Sequence, residues 1–149
     1  MKKFLTISNL FKICAAIFGL VAFFLMFADQ IYVEILGARG YSSFSDTFFG
    51  DNGAIITFIG YLLIGISSIA ICLLLFMSID KKIKIFVSFG LALVLILGAV
   101  FVFIVSAVIN GNTNVTHPAA APIIAGIFAI VAAIALAISE FAPNKSVIK

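Results

Sequence analysis

The chain is poor in the residues that a water-facing surface requires. Of its 149 residues, only 10% are charged and 64% are hydrophobic, whereas a soluble domain is nearer one half apolar and one quarter charged. This shortage excludes a water-soluble globular domain, so the surface must be solvated by lipid. Nucleic acid is excluded as a partner, because a net charge of +3 offers no clustered basic face on a soluble fold.

Cysteine, histidine and tryptophan are scarce as well. The chain has two cysteines, one histidine and no tryptophan. Because Cys14 and Cys72 both lie inside apolar runs, a disulfide framework in an external loop, a redox pair and a zinc site are excluded. We expect both cysteines to be small apolar side chains of helices. No cofactor or metal site is predicted.

Long apolar runs are what the chain has instead. Four runs reach the roughly 20 residues that a membrane-spanning helix needs. Charges mark their ends, because a charge at mid-membrane costs about 2.5–3.5 kcal/mol on insertion scales. The first run is too long for a signal peptide and is followed by a poor cleavage site, so it is predicted to be a retained helix. The predicted spans are Phe11–Ala28, Ala54–Ile79, Ile85–Ile109 and Ala119–Ser139.

These spans predict an all-α membrane protein, with residues 1–149 forming one antiparallel four-helix transmembrane bundle. If the chain crosses four times, its eight lysines fall on one side and Arg39 on the other. By the positive-inside rule, both termini and the hairpin between spans two and three are cytoplasmic. Glu140, at the inner end of span four, is expected to pair with Lys12 or Lys84. The lysines are Lys2, Lys3, Lys12, Lys81, Lys82, Lys84, Lys145 and Lys149.

Small residues predict where the helices pack, because lipid tails are as apolar as leucine and close backbone approach must supply the attraction. Span four carries an alanine every four residues, and we call this set the alanine stripe. Gly126 widens the stripe, and Gly19 and Gly65 are the corresponding packing positions of spans one and two. The stripe either packs within the bundle or forms the seam of a homodimer. It comprises Ala121, Ala125, Ala129, Ala133 and Ala137.

The first external loop, residues 29–53, is the only sizeable segment outside the predicted spans. Its "QIYVEIL" text predicts a short extended segment, and "GARG" predicts a turn. The text "SSFSDTFFG" predicts a short helix capped by Ser43, with Asp46 three residues on. Phe44 and Phe48 then lie on one face, either on the membrane surface or buried within an irregular loop.

Serines at mid-span are the most polar groups of the predicted interior. Ser67 and Ser68 either line a pathway or bond back to their own helix. Transporters usually keep an ionisable residue within their spans, and none is predicted here. The leading hypothesis is therefore a non-enzymatic structural or interaction protein. Its expected partners are the surrounding lipid bilayer and either another membrane protein or a second copy of the chain, contacted through helix packing or the first loop. The alternative is a small channel or transporter subunit with a pathway along spans two and three.

Two resemblances accompany this prediction. Four spans with a larger first external loop resemble the claudin layout, although the tryptophans and paired cysteines of the claudin loop motif are absent. The segments Gly19–Asp29 and Tyr41–Gly50 are similar to sequences in small four-span proteins of low-GC Gram-positive bacteria. This second resemblance implies a bacterial plasma-membrane protein with no assigned activity.

Overall fold

A computed structural model describes residues 6–35, 37–50, 54–77, 79–110 and 116–143. In this part of the chain, four long helices dominate, and each is long and apolar enough to cross a membrane. A 22-residue helix is about 33 Å long, which matches the roughly 30 Å of a hydrocarbon core. The helices are α1 (Ile7–Phe24), α2 (Phe44–Phe49), α3 (Ile55–Phe76), α4 (Lys81–Phe103), α5 (Val105–Asn110) and α6 (Ala120–Phe141). The strands are β1 (Ile31–Ile35), β2 (Ala38–Tyr41) and β3 (Thr116–Pro118).

The four predicted spans are confirmed as helices, and their ends differ by a few residues. The first helix begins at Ile7 and not at Phe11, because Thr6 caps it by accepting a hydrogen bond from the Asn9 backbone N–H at 3.2 Å. It ends in a 3₁₀ turn over Leu25–Phe27. The predicted third span divides at Ile104 into α4 and α5. Asp80 and Lys81 stand at the start of α4 and Glu140 next to the end of α6, whereas Lys12 lies in the second turn of α1.

Long-range contacts define the two ends of the bundle. At one end β1, which follows α1, pairs with β3, which precedes α6; we call it the sheet end. At the other end Lys12 of α1 and Ser88 of α4 both contact Glu140 of α6; we call it the lysine end. Because α1 and α4 run from the lysine end to the sheet end and α6 runs back, neighbouring helices are antiparallel.

Each long helix packs against two others, so the four form a ring. Helices α1 and α4 each pack against both α3 and α6. The backbones of α3 and α4 approach each other closely at two glycines, since a Cβ on Gly98 would lie 2.9 Å from the Gly60 carbonyl oxygen. The Thr57 hydroxyl donates to the Phe101 carbonyl at 3.1 Å across the same seam. Small residues thus bring the backbones together, as expected in lipid.

The sheet is the main departure from the predicted all-α fold. The expected extended segment is confirmed as β1, but it pairs on both sides, in the strand order β2-β1-β3. Of the predicted "GARG" turn, only the first residue is a turn residue. Gly37 has a φ of 82°, a left-handed conformation that favours glycine. Ala38, Arg39 and Gly40 continue as β2. Strand β3 was not predicted, because three residues carry no periodic pattern.

The short helix α2 is confirmed together with its cap. The Ser43 hydroxyl accepts from the Asp46 backbone N–H at 3.2 Å, and the helix ends at Gly50. Phe48 is fully buried and Phe44 half-buried. Their rings contact each other and that of Phe58 of α3. The segment is therefore a regular helix whose aromatic side chains pack onto the bundle.

Candidate functional site

The sheet presents one face made of aromatic and charged side chains. Since side chains alternate along strands and cross-strand partners share a face, the registers Tyr32 with Tyr41, Glu34 with Arg39, and Tyr32 with His117 place five residues together. We call this set the sheet face. Ile31 is buried against Ala54 and Val105 on the opposite face. The sheet is thus amphipathic and anchored by its apolar side.

Aromatic and ionic contacts hold the sheet face together. The Tyr32 ring lies 5.4 Å from the His117 ring and 6.1 Å from the Tyr41 ring, measured between centroids. The Arg39 guanidinium carbon lies 5.0 Å from the Tyr32 centroid, a cation–π distance. Arg39 Nε is 3.7 Å from a Glu34 carboxylate oxygen. Both charged side chains are about half exposed, so their groups are accessible to a partner.

A groove runs beside the sheet face. Its volume is about 380 Å³, and it separates the tyrosines and Arg39 from the start of α6. Half of its lining residues are alanines, including Ala121 of the alanine stripe, and Asp29 also lines it. The lining residues are Ala28, Asp29, Tyr32, Arg39, Tyr41, Ala119, Ala120 and Ala121.

Strand β2 is one of the two edges of the sheet within the described residues, and β3 is the other. All four of its residues are exposed, and Tyr41 retains 56% of its surface. An edge strand presents backbone N–H and C=O groups that a further strand can pair with. The sheet end therefore offers both an aromatic face and a strand edge for recognition.

A buried hydrogen-bond network fixes the sheet to the bundle. The Tyr61 hydroxyl of α3 donates to the Gln30 side-chain oxygen at 2.7 Å. The Gln30 amide in turn donates to the carbonyls of Leu25 and Ala28 at 2.8 and 2.7 Å. Both side chains are fully buried. Because Gln30 directly precedes β1, this network ties the orientation of the strand to that of the helices.

The two mid-span serines lie inside the protein. Ser67 and Ser68 are 1% and 0% exposed. The Ser68 hydroxyl donates to the Ile64 carbonyl of its own helix at 2.7 Å. Of the two predicted roles, lining a pathway or bonding back to the helix, this is the second. Ser68 also lies against Gly19 of α1, where a Cβ would overlap its hydroxyl. Both serines therefore lie where helices pack against each other.

The alanine stripe is largely covered by the chain itself. Ala125, Ala129 and Ala133 are at most 2% exposed, Ala121 is 7% exposed and Ala137 is half-buried. At Gly126 an added Cβ would overlap the Phe103 ring of α4, and at Gly65 it would lie 2.6 Å from the Phe23 ring of α1. This burial favours packing within the bundle over a homodimer seam.

An ion pair closes the lysine end. Lys12 Nζ lies 2.7 Å from Glu140 Oε1, and the two side chains are 2% and 8% exposed. The Ser88 hydroxyl donates to the same carboxylate oxygen at 2.7 Å. Of the two expected partners of Glu140, Lys12 makes the ion pair. Lys12 lies in the second turn of α1 and Glu140 is the last residue but one of α6, so the pair lies at the end of the bundle and not at mid-span.

His117 contacts the first external loop through its ring, which lies against that of Tyr32. Cys14 and Cys72 are free and half-buried. Among the described residues, no three His, Cys, Asp or Glu side chains group as metal ligands. Lys2, Lys3, Lys145 and Lys149 lie outside the described residues.

Comparison of the chain with family models, with curated proteins and with solved structures finds no match. The four long apolar helices indicate a multi-pass membrane protein.

Proposed function

We propose that this is a non-enzymatic interaction protein of the bacterial plasma membrane that recognises another membrane protein, or a second copy of itself, through the sheet face and the β2 edge. Both termini and the lysine end face the cytoplasm, and the sheet end faces outward. The single observation that carries the proposal is the sheet face itself. Five aromatic and charged side chains, four of them exposed and Tyr32 half-buried, share one face of a sheet that a buried network fixes to the bundle.

The chemistry of the sheet face suits protein recognition. Tyrosine and arginine are enriched at the energetic centres of protein interfaces, because they combine apolar area with hydrogen-bonding groups. The edge strand adds backbone pairing of the kind used in β-augmentation. The anchoring by Tyr61 and Gln30 lowers the entropy lost on binding, since the strand position is fixed beforehand.

The packing of α3 against α4 disfavours the channel alternative. A pathway between them would need polar, water-filled space. The seam instead has the Gly60–Gly98 approach and the Thr57–Phe101 hydrogen bond. Ser67 and Ser68 are covered by neighbouring helices.

Photocrosslinking in membranes tests the proposal. A photoreactive amino acid replaces Tyr41 of the full chain, and the expected product is a discrete protein adduct. An adduct of twice the 15.9 kDa chain mass identifies a second copy, and any other mass identifies a different protein. Arg39→Ala should weaken the adduct if the sheet face makes the contact. The matched control carries the probe at Ile66, which is 65% exposed on α3 and should react mainly with lipid.

Two results would contradict the proposal. One is an Ile66 adduct with no Tyr41 adduct, which would place the contact on the helices. The other is solute flux through liposomes that hold the purified protein, abolished by Ser68→Leu. That result would establish the transport alternative.

A further inference from the structure

A small polar cavity lies at the lysine end between α1, α4 and α6. Its volume is about 110 Å³, roughly the share of three or four waters in the liquid, which suits an ion of a few heavy atoms. Polar and charged side chains from all three helices line it. They are Ser8, Asn9, Lys12, Lys81, Lys84, Ser139 and Glu140, with Ala142 at the rim.

The charges of this lining do not balance. Three ammonium groups face one carboxylate, so the lining carries a net charge of +2. Glu140 is already engaged by Lys12 and by the Ser88 hydroxyl, each at 2.7 Å. Within the described residues, neither Lys81 nor Lys84 forms a salt bridge. The cavity therefore has two lysines whose charge Glu140 does not neutralise.

The position of the cavity narrows the ligand class. It lies where α4 begins and α6 ends, and helices of this length end near the headgroups of a bilayer. The first backbone N–H groups of α4 also favour negative charge there. Basic cavities between transmembrane helices are suited to the phosphates of anionic lipids. Phe141, next to Glu140, is 80% exposed and offers apolar surface to an acyl chain.

We propose that this cavity binds one phosphate group, supplied by an anionic phospholipid headgroup or by free phosphate. Lys81 and Lys84 contact the phosphate oxygens. Lys12, held by Glu140, contributes a fixed charge at the inner wall. This site is separate from the sheet face, so either can fail without the other.

Lipid binding to the purified full chain tests the proposal. Native mass spectrometry of the protein in neutral detergent measures the dissociation constants of phosphatidylglycerol and phosphatidylcholine. The expected result is preferred binding of one phosphatidylglycerol. Lys81→Gln and Lys84→Gln should each weaken it about fivefold, as expected for one basic residue near a lipid surface. The matched control is Lys82→Gln, since Lys82 is exposed in the same turn but does not line the cavity.

Inorganic phosphate distinguishes the two sources. Competition by millimolar phosphate, lost in Lys84→Gln, means that the site accepts free phosphate. Lipid binding without such competition means that the headgroup is the ligand. Far-UV circular dichroism checks that each variant is folded, and Lys84→Arg should restore binding. If Lys84→Gln does not fold, the comparison of phosphatidylglycerol binding by Lys81→Gln and by Lys82→Gln tests the proposal.

Two outcomes would overturn the proposal. Equal binding of anionic phosphatidylglycerol and zwitterionic phosphatidylcholine, with no binding of inorganic phosphate, would show that the cavity is not an anion site. An equal loss in Lys82→Gln would show that only diffuse surface charge attracts the lipid.

Discussion

Removing the charge of Glu140 should destabilise the bundle more than any exposed substitution. In Glu140→Gln the amide keeps the shape of the side chain and an oxygen that accepts the Ser88 hydrogen bond, so the change isolates the ion pair. Lys12, only 2% exposed, is then left with an uncompensated buried charge. Breaking a buried pair in this way costs about 3–5 kcal/mol. We expect the free energy of unfolding to fall by that amount.

A double-mutant cycle separates the ion pair from the other contacts of the two side chains. Lys12→Met removes the charge and keeps an apolar chain of similar length. The combination of Lys12→Met and Glu140→Gln leaves no buried charge, so it should recover most of the loss, with a coupling energy of about 2 kcal/mol or more. Far-UV circular dichroism during unfolding by sodium dodecyl sulfate in mixed micelles measures each variant. Lys82→Gln is the control and should stay within about 0.5 kcal/mol of wild type.

Additive effects would refute this reasoning. If both single variants lost less than about 1 kcal/mol and the double variant lost their sum, Lys12 would be reaching water or lipid headgroups along its flexible stem. The ion pair would then contribute little.

Three further substitutions test the packing and the anchoring of the sheet. Gly98→Ala should lower the free energy of unfolding by about 1–3 kcal/mol through overpacking, because its Cβ would lie 2.9 Å from the Gly60 carbonyl oxygen. The control Gly90→Ala, in the same helix, places its Cβ in open space and should be neutral or stabilising. Equal effects of the two substitutions would contradict the close seam. Ala129→Leu should lower the thermal transition in detergent by overpacking the alanine stripe, and an unchanged transition would show that this face points to lipid. Tyr61→Phe should cost about 1–3 kcal/mol by leaving the buried Gln30 oxygen without its donor; a loss no larger than that of a Tyr→Phe change at an exposed tyrosine would contradict the network.

Local patterns were sufficient to predict the helices and part of the loop. Apolar runs located the four spans to within a few residues, because backbone groups in hydrocarbon must be paired within a helix. The Ser43 cap was predictable because capping depends on residues three apart. Strand β1 followed from its β-branched and aromatic composition.

Contacts between distant residues could not be predicted in the same way. Strand β3 forms only because Thr116–Pro118 meets β1 from across the bundle. The Tyr61–Gln30 hydrogen bond joins residues 31 positions apart, and no local signal marks either side chain. The start of α1 was misplaced because the apolar run begins at Phe11, whereas the helix extends four residues further, to the cap at Thr6. The sheet face was not predicted either, because its residues come from two loops that are distant in the sequence.

The orientation of the two ends is the central claim, and cysteine labelling in intact cells tests it most directly. Cys14 and Cys72 are first replaced by alanine, and a single cysteine is then placed at Arg39 or at Lys82. A membrane-impermeant maleimide should label Arg39→Cys in intact cells and Lys82→Cys only after permeabilisation. Labelling of Lys82→Cys from outside, with Arg39→Cys protected, would contradict the account.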